Sequence, residues 1–385
     1  MQGCTVLVGV LLIATWLAPP EATGQDSLAV DSTLIKELER ELGAIAQVPQ
    51  TRRARPSLVA RSGQTTNPDI SVVGDFRSRY DSGEERSFDM EMHEVETALR
   101  GAIDPYARAD VFIAIANEDG EFVFELEEAF LTTFSLPWKL QARLGKFRSN
   151  FGKLNRIHPH ALPYPDVPAI YERYFGLEGL NDEGVSVSWL LPNRSFYQEF
   201  TFEFTRGPTE NPSYERSEDD RFLYLGRLKN FWDLTRNATL ELGLSGTAGP
   251  NDVGATTTIG GVDLTYIWKP LRRNRYRSIV LQVEGLVSNR RSNRGADVTS
   301  FGFYALIQYQ LSQRLHFIAR YDHSDLPDDN GWNENAVGGF LAWYATEFQK
   351  LELGLKTSSG ARFNRKWEVL ARLIFVIGTH GSHEY

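Results

Sequence analysis

From Asp69 to the end of the chain, apolar and polar residues alternate in short segments separated by turn-like sequences. Residues 238–244 (ATLELGL) and 350–356 (KLELGLK) show the pattern most clearly. A period of two places successive side chains on opposite faces of a β-strand. Segments of about ten residues are long enough for a tilted strand to cross a bilayer. The pattern therefore predicts membrane-spanning strands with one apolar face.

Sixteen such segments can be counted. An open sheet edge in lipid would leave backbone N–H and C=O groups without partners, so a sheet of this kind has to close. The predicted fold class is therefore all-β, a transmembrane antiparallel β-barrel of about 16 strands. The predicted strands are 69–80, 87–102, 105–117, 121–135, 138–150, 184–191, 196–206, 221–230, 238–247, 255–268, 276–288, 298–312, 314–322, 336–347, 350–358 and 367–379.

The connections between these strands sort by length. Every second connection is short, such as 103–106 (IDPY) and 191–194 (LPNR), although 231–237 and 269–275 are longer. The others include polar segments, the longest of which is 151–183. Barrels of the bacterial outer membrane have short periplasmic turns and longer extracellular loops. The sequence therefore predicts an outer-membrane location, with lipid around the barrel.

Tryptophan positions support the same orientation. Trp138, Trp189, Trp232 and Trp268 all lie at or next to predicted periplasmic turns. Because an indole prefers the membrane interface, this set is typical of an aromatic girdle. The alternative, a core of a soluble β-sandwich, does not explain why the loops sort by side.

The beginning of the chain has a different character. Residues 6–17 are apolar and small residues follow, so residues 1–24 are predicted to be a secretory signal peptide. The alternative is a membrane anchor, for which the apolar run is short. The only cysteine, Cys4, lies in this segment, so disulfides and thiol chemistry are not expected. Residues 25–68 are predicted to be a periplasmic arm and linker, with a helix over 31–47 that is either a simple amphipathic arm or an oligomerising element.

Composition and motifs limit the possible functions. A formal net charge of −9 argues against nucleic acid as a partner. The expected partners are lipid and small hydrophilic solutes, and a homo-oligomer remains open. We do not predict an enzyme, because Asp322, His323 and Ser324 are adjacent in a strand and would point to alternate faces, and no GxSxG motif occurs.

A sixteen-stranded barrel of residues 69–385 is wide enough to enclose an aqueous lumen, where charged side chains would set selectivity. Two β-bulges, at His93–Glu94 and Glu127–Glu128, are needed to keep the early charges on one face. These charges either line a constriction or pair with one another along the wall. The predicted lining and constriction residues are Glu94, Glu96, Arg100, Arg108, Asp110, Glu125, Glu127, Arg143, Asp166 and Glu178.

The longest predicted connection, residues 151–183, is called the long loop below. Its prolines reduce the entropy lost when it holds one shape. Asp166 and Glu178 contribute to an acidic loop, which would face Arg143 and other basic residues of the preceding strand. We expect the loop to fold inward and narrow the pore; an outer lid is the alternative.

Two histidines of the long loop raise the question of metal binding. His158 and His160 would point the same way in an extended chain, and Asp166 could supply a third ligand for Zn²⁺ or Cu²⁺. We prefer a structural role, with the imidazoles bonded to the loop backbone, so no cofactor is predicted beyond this candidate Zn²⁺ site. His380 and His383 form a second pair near the opposite end of the barrel.

Five stretches carry a resemblance to a known family: 104–115 (DPYARADVFIAI), 127–134, 144–168 (LGKFRSNFGKLNRIHPHALPYPDVP), 176–192 and 375–385. They resemble a bacterial family of porin-like outer-membrane proteins, whose members are often labelled zinc-related or TonB-dependent receptors. The resemblance implies a barrel, a loop with paired His and Asp, and substrate gating. The receptor label conflicts with this sequence, because a TonB-dependent receptor has 22 strands and a plug, and the 44 residues of 25–68 are too few for a plug.

These observations predict a porin-like channel for passive diffusion of small hydrophilic solutes, constricted by the long loop. The alternative is a metal-linked uptake protein gated by the histidines, and a third interpretation is a non-conducting structural barrel.

Overall fold

The computed structural model describes residues 68–378, except 84–85, 119, 135, 194, 210, 218–220, 271–275 and 293–294. The predicted signal peptide, the helix of the arm and the His380–His383 pair lie outside the described residues.

Sixteen antiparallel strands form one closed barrel, in which each strand pairs with its neighbours in sequence and the last strand pairs with the first. The predicted fold class is confirmed, and each predicted strand corresponds to one observed strand. The strands are β1 (Asp69–Asp81), β2 (Ser87–Asp104), β3 (Ala107–Glu118), β4 (Glu121–Thr133), β5 (Leu140–Arg148), β6 (Asn181–Leu190), β7 (Tyr197–Thr205), β8 (Leu223–Thr235), β9 (Ala238–Pro250), β10 (Thr256–Trp268), β11 (Ile279–Arg290), β12 (Val298–Gln310), β13 (Leu315–Asp325), β14 (Asn333–Thr346), β15 (Gln349–Gly360) and β16 (Phe363–Gly378), and the single α-helix among the described residues is α1 (Ala169–Phe175).

The two faces of the barrel wall differ as the alternation predicts. On β3, Asp110, Phe112 and Ala114 are buried inside, whereas Ile115 points outward and is exposed. Large apolar side chains cover the outer face, and in the described part of the chain no helix is long and apolar enough to cross a membrane. An apolar exterior on a closed sheet is the arrangement that a bilayer requires, and the barrel is of the bacterial outer-membrane type. Exposed apolar residues of the exterior include Phe202, Leu244, Leu264, Leu281, Ile307, Phe317, Leu341, Leu353 and Leu373.

Both predicted β-bulges are present. The β1–β2 register passes from Asp75 opposite Glu94 to Phe76 opposite Met92, which leaves His93 as the extra residue. The β3–β4 register skips Glu127 in the same way. Each bulge shifts the phase of the alternation, so charged residues on both sides of it face the lumen.

One end of the barrel carries the short turns and most of the tryptophans. Consecutive strands are connected by only two residues at 105–106, 236–237 and 347–348. The longer connection predicted at 231–237 is wrong, because β8 continues to Thr235. Trp189 and Trp268 lie near or at the ends of their strands, paired with Leu140 and Ala238 at this end, as a girdle requires. The opposite end carries the long loop, although residues 361–362 alone connect β15 to β16 there.

The seam between β4 and β5 is the shortest in the barrel. Only four residue pairs join residues 129–132 to residues 143–146. Beyond it, β4 continues without a strand partner on this side, and the Lys146 Nζ donates to the Leu126 carbonyl at 2.6 Å. The Lys146 side chain thus gives the Leu126 carbonyl a hydrogen bond that β4–β5 pairing does not provide.

Gly145 should be essential to this seam. Its φ of 134° lies in the left-handed region, and an added Cβ would collide with the Ala129 carbonyl oxygen and lie 2.9 Å from the Phe130 Cα. Gly145→Ala should lower the free energy of unfolding in detergent by about 2–4 kcal/mol. Gly260→Ala is the control, since no atom lies within 4 Å of its added Cβ. Urea titrations monitored by tryptophan fluorescence would measure both, and equal stabilities would contradict this account.

Candidate functional site

The long loop occupies residues 149–180, between β5 and β6, and it lies inside the barrel. Ile170 and Phe175 on helix α1 are completely buried. Polar groups of the loop contact inward side chains on both sides of the lumen, on β2 and β16 and on β9 and β11. The inward fold predicted from the sequence is therefore the one observed, and the outer lid is not.

Asn155 holds the two ends of the long loop together. Its side-chain amide donates to the carbonyl oxygens of Ser149, at 2.8 Å, and Leu180, at 2.9 Å. Its Oδ1 accepts the Leu180 N–H at 2.8 Å. Because Asn155 is buried, these bonds fix the loop base without competition from water.

Gly152 brings the loop backbone against the barrel wall. Its N–H donates to the Ser245 Oγ of β9 at 3.1 Å, and its φ is 58°. An added Cβ would overlap the Glu284 carboxylate and lie 2.5 Å from the Tyr171 hydroxyl. Only glycine allows this approach.

One sector of the lumen wall is apolar and packs against the loop. Each large apolar side chain removed from water stabilises the docked loop by about 1.5–3 kcal/mol. The loop contributes Phe151, Leu154, Leu162, Tyr164, Ile170, Tyr171, Tyr174, Phe175 and Leu180, and the wall contributes Leu223, Leu225, Ile259, Leu286, Tyr304, Leu306, Ile318 and Phe340.

Next to this apolar sector, the wall carries basic side chains on β13 and β15, and these bind Asp166. The Asp166 Oδ2 accepts from Arg320 Nη2 at 2.8 Å and from Lys356 Nζ at 2.9 Å. Burial alone would raise the pKa of Asp166, but the two cations outweigh it and hold that pKa well below its ordinary value. Asp166 is therefore an ionised anchor of the loop.

Two further cations bind the loop through its backbone. Lys350 donates to the carbonyl oxygens of His160, at 2.9 Å, and Leu162, at 2.6 Å. Arg372 donates to the Pro159 carbonyl at 2.9 Å. The 3₁₀ turn that contains the histidines is thus held from β15 and β16.

The part of the wall formed by β2 and β4 is acidic and receives the two histidine side chains. The Nδ1 of His158 lies 2.8 Å from the Glu96 Oε2 and 3.2 Å from the Glu127 Oε2. Its Nε2 lies 2.7 Å from the Glu128 Oε1. The Nδ1 of His160 lies 3.7 Å from the same Glu96 oxygen. All five residues are at most 5% exposed.

The β4 bulge explains how adjacent glutamates reach one histidine. In a regular strand, Glu127 and Glu128 would face opposite sides of the sheet. The bulge turns both inward, and both are buried. Burial opposes a charge on His158, yet the surrounding carboxylates outweigh it and raise its pKa well above the ordinary value.

A third polar anchor lies on β9 and β11. The Tyr171 hydroxyl donates to the Glu284 Oε1 at 2.5 Å, and Lys153 Nζ donates to the Glu241 Oε1 at 3.1 Å. Burial and the Glu284 carboxylate raise the pKa of Tyr171 well above its ordinary value, so it remains a donor.

The structure divides the predicted site residues into separate groups. Glu94, Glu96 and Glu127 meet at the histidines, whereas Arg100 and Arg108 both contact Asp110 on β3. Arg143 lies 3.5 Å from Glu203 of β7, Glu178 lies 3.6 Å from Arg148, and Glu125 is half-buried on β4.

Asp166 does not lie with His158 and His160 as the sequence predicted. It lies on the basic side, and Glu96 takes the position expected of a third ligand. The loop bends after residue 161, which carries Asp166 away from the histidine side chains.

Sequence reasoning missed the later strands as contributors to the site. The signal was available, because charged residues alternate with the apolar lipid-facing residues of these strands, as Lys350 and Glu352 do on β15. The missed residues that contact the loop are Glu128, Glu203, Glu241, Ser245, Glu284, Arg320, Glu334, Lys350, Lys356 and Arg372.

Comparison with known proteins identifies the fold. No protein-family model matches the chain. A protein of Aquifex aeolicus described as uncharacterized is 29% identical in an alignment of 391 positions, which covers 83% of this chain and 80% of that protein. The anion-selective porin from Comamonas acidovorans superposes with a TM-score of 0.58 at 9% identity, over 81% of this chain and 99% of that one. The outer membrane channel DcaP of Acinetobacter baumannii superposes with a TM-score of 0.55 at 9% identity, over 81% and 98%.

The chain therefore has the fold of porin-type outer-membrane channels. None of these three proteins carries a zinc-related or TonB-dependent label, so they give that part of the family resemblance no support.

The Asp166 anchor can be tested by removing its charge. Asp166→Asn should lower the free energy of unfolding by about 1–3 kcal/mol, because Arg320 and Lys356 lose a buried charged partner. Asp329→Asn is the control, since its partner Arg362 is 63% exposed and such pairs contribute little. Denaturation in detergent at neutral pH would measure both, and a similar loss in the control would contradict the anchor.

The difference in unfolding free energy between the parent and Asp166→Asn should depend on pH. A carboxyl with a lowered folded-state pKa contributes stability that is full above its unfolded pKa of about 4 and is lost as pH falls toward the folded value. The stability difference between the parent and Asp166→Asn should therefore be constant at neutral pH and shrink below about pH 4. A difference that grows in acid would show that Asp166 is not held ionised.

Proposed function

We propose that this protein is an outer-membrane channel for small hydrophilic solutes, whose lumen is narrowed by the docked long loop. The porin-type fold supports a channel. The finer proposal rests on one observation, which is that the loop crosses the lumen and is anchored on opposite walls. Its His158 lies against Glu96 of β2, and its Tyr171 donates to Glu284 of β11, which is nearly opposite β2 in the closed strand order.

The low exposure of the inward-facing charged side chains supports a narrow lumen rather than a wide, open pore. In a wide aqueous pore these side chains would be hydrated. Here Glu203, Glu352 and Arg372 are at most 1% exposed. The loop and its partners therefore fill much of the space that the sixteen strands enclose.

A cavity at the long-loop end supplies a candidate solute entrance. Its volume is about 580 Å³, and its lining includes Arg173, Trp332, Glu334 and Lys366. Charges of both signs beside an indole suit small polar solutes, which reach the loop from this side. Homo-oligomerisation remains a prediction, which sedimentation of the detergent complex would test.

Planar-bilayer recordings of Gly152→Val would test the loop as the constriction. A side chain at this position would displace the loop from Glu284, so single-channel conductance should rise severalfold. Gly246→Val is the control, because an added Cβ there has no atom within 4 Å. Replacing residues 152–178 by a short Gly-Ser linker should raise the conductance further. If both the parent and the linker variant fold but show no conductance, the channel proposal is wrong.

A further inference from the structure

We propose that Glu96, His158 and His160, with Glu127 as a fourth ligand, form a divalent-metal site that fastens the long loop to the barrel wall. Imidazole nitrogens combined with carboxylate oxygens favour Zn²⁺ among common cations. The site joins the loop to β2 and β4, and it differs from the ligand set that the sequence suggested.

The distances between the ligand atoms suit a tetrahedral ion. Metal–ligand bonds of the usual length place tetrahedral ligand atoms about 3.3 Å apart. From the His158 Nδ1, the oxygens of Glu96 and Glu127 lie at 2.8 Å and 3.2 Å, and Glu96 lies 3.7 Å from the His160 Nδ1. Ligand atoms of Glu96, His158 and His160 all lie within 4.8 Å of one another.

Two oxygens at this point lack other partners. The Glu96 Oε2 and Glu127 Oε2 atoms are buried and lie 2.8 Å and 3.2 Å from the His158 Nδ1, but they make no well-directed hydrogen bond with any described residue. Both side chains are at least nine-tenths buried. A buried carboxylate oxygen without a hydrogen bond is costly, and a metal ion would remove this cost.

The second nitrogen of His158 already has the partner that metal-bound histidines usually have. Its Nε2 lies 2.7 Å from the Glu128 Oε1. A carboxylate on the far nitrogen orients the ring and favours the tautomer whose Nδ1 lone pair can bind a metal. The β4 bulge provides both Glu127 at Nδ1 and Glu128 at Nε2.

The charge balance of the pocket also favours a cation. Glu94, Glu96 and Glu127 approach one another, Glu128 lies at the far side of the His158 ring, and Arg148 lies 3.5 Å from Glu127. Arg148 offsets one of these four negative charges, and a divalent ion would offset two of the remaining three. Since both histidines belong to the loop, the ion would also resist its displacement.

Metal binding can be measured on the full chain, refolded in detergent without a histidine tag. Titration calorimetry should show one Zn²⁺ per chain, and Co²⁺ should give the visible absorption of a tetrahedral site. Glu96→Gln and His160→Gln should each weaken Zn²⁺ binding by about 10–100-fold. His323→Gln is the matched control, because His323 pairs with Asn335 of β14 and should leave the affinity unchanged.

The mobility of each variant on unheated gels shows whether it has folded. The Co²⁺ spectrum of the parent tests the site without any substitution. Absence of Zn²⁺ binding by the folded parent would overturn the site. Unchanged affinity in folded Glu96→Gln or His160→Gln would also overturn it.

The effect of the metal on conduction rests on the proposed channel function. Zn²⁺ should lower the conductance of the parent channel and not that of His160→Gln. If the parent binds Zn²⁺ but neither the parent nor the loop-replaced chain conducts, the metal site is supported and the channel function is rejected. Zn²⁺ binding with an unchanged conductance would support the site and reject its control of the pore.

Discussion

A charged side chain held away from water needs a counter-charge, and the interior of this barrel is arranged around that requirement. Arg372 bonds both oxygens of Asp75, at 2.9 and 2.7 Å, and lies 3.6 Å from Glu352. It also donates to the long loop. Arg372 therefore serves the wall and the loop together, and removing it would leave Asp75 paired only with Arg77 and Glu352 only with Lys350.

The long loop is held by two kinds of interaction with different roles. Apolar packing against β8–β14 is non-directional and contributes about 1.5–3 kcal/mol for each large buried side chain. A hydrogen bond contributes about 0.5–1.5 kcal/mol net, but it is directional and forms only when donor and acceptor are correctly placed. Packing therefore supplies most of the affinity of the loop for the lumen. The polar anchors, such as Asp166 and Asn155, determine where in the lumen it sits.

The strands and bulges could be predicted from the sequence because alternation is a local property. The Glu127–Glu128 doublet breaks the period within a few residues, and this break is visible without any partner. The partners of the loop could not be found in this way. Asp166 meets Arg320, which is 154 residues away, and Lys356, which is 190 residues away. Local pattern shows which face a residue occupies and not which strand lies across the lumen. This is why Asp166 was wrongly joined to the histidines.

The two walls that hold the loop differ in what they offer to a ligand. On the basic side, Lys350 and Arg372 bind backbone carbonyl oxygens, and Asp166 is already shared by two cations. The positive charges of these side chains disfavour a metal ion there. On the acidic side, carboxylate oxygens face His158 and His160. In the proposed channel, a divalent cation would therefore act on one attachment only. The loop would then behave as a flap that remains fixed on the basic side, because the apolar sector and the cations of β13–β16 hold it there whether or not a metal is bound.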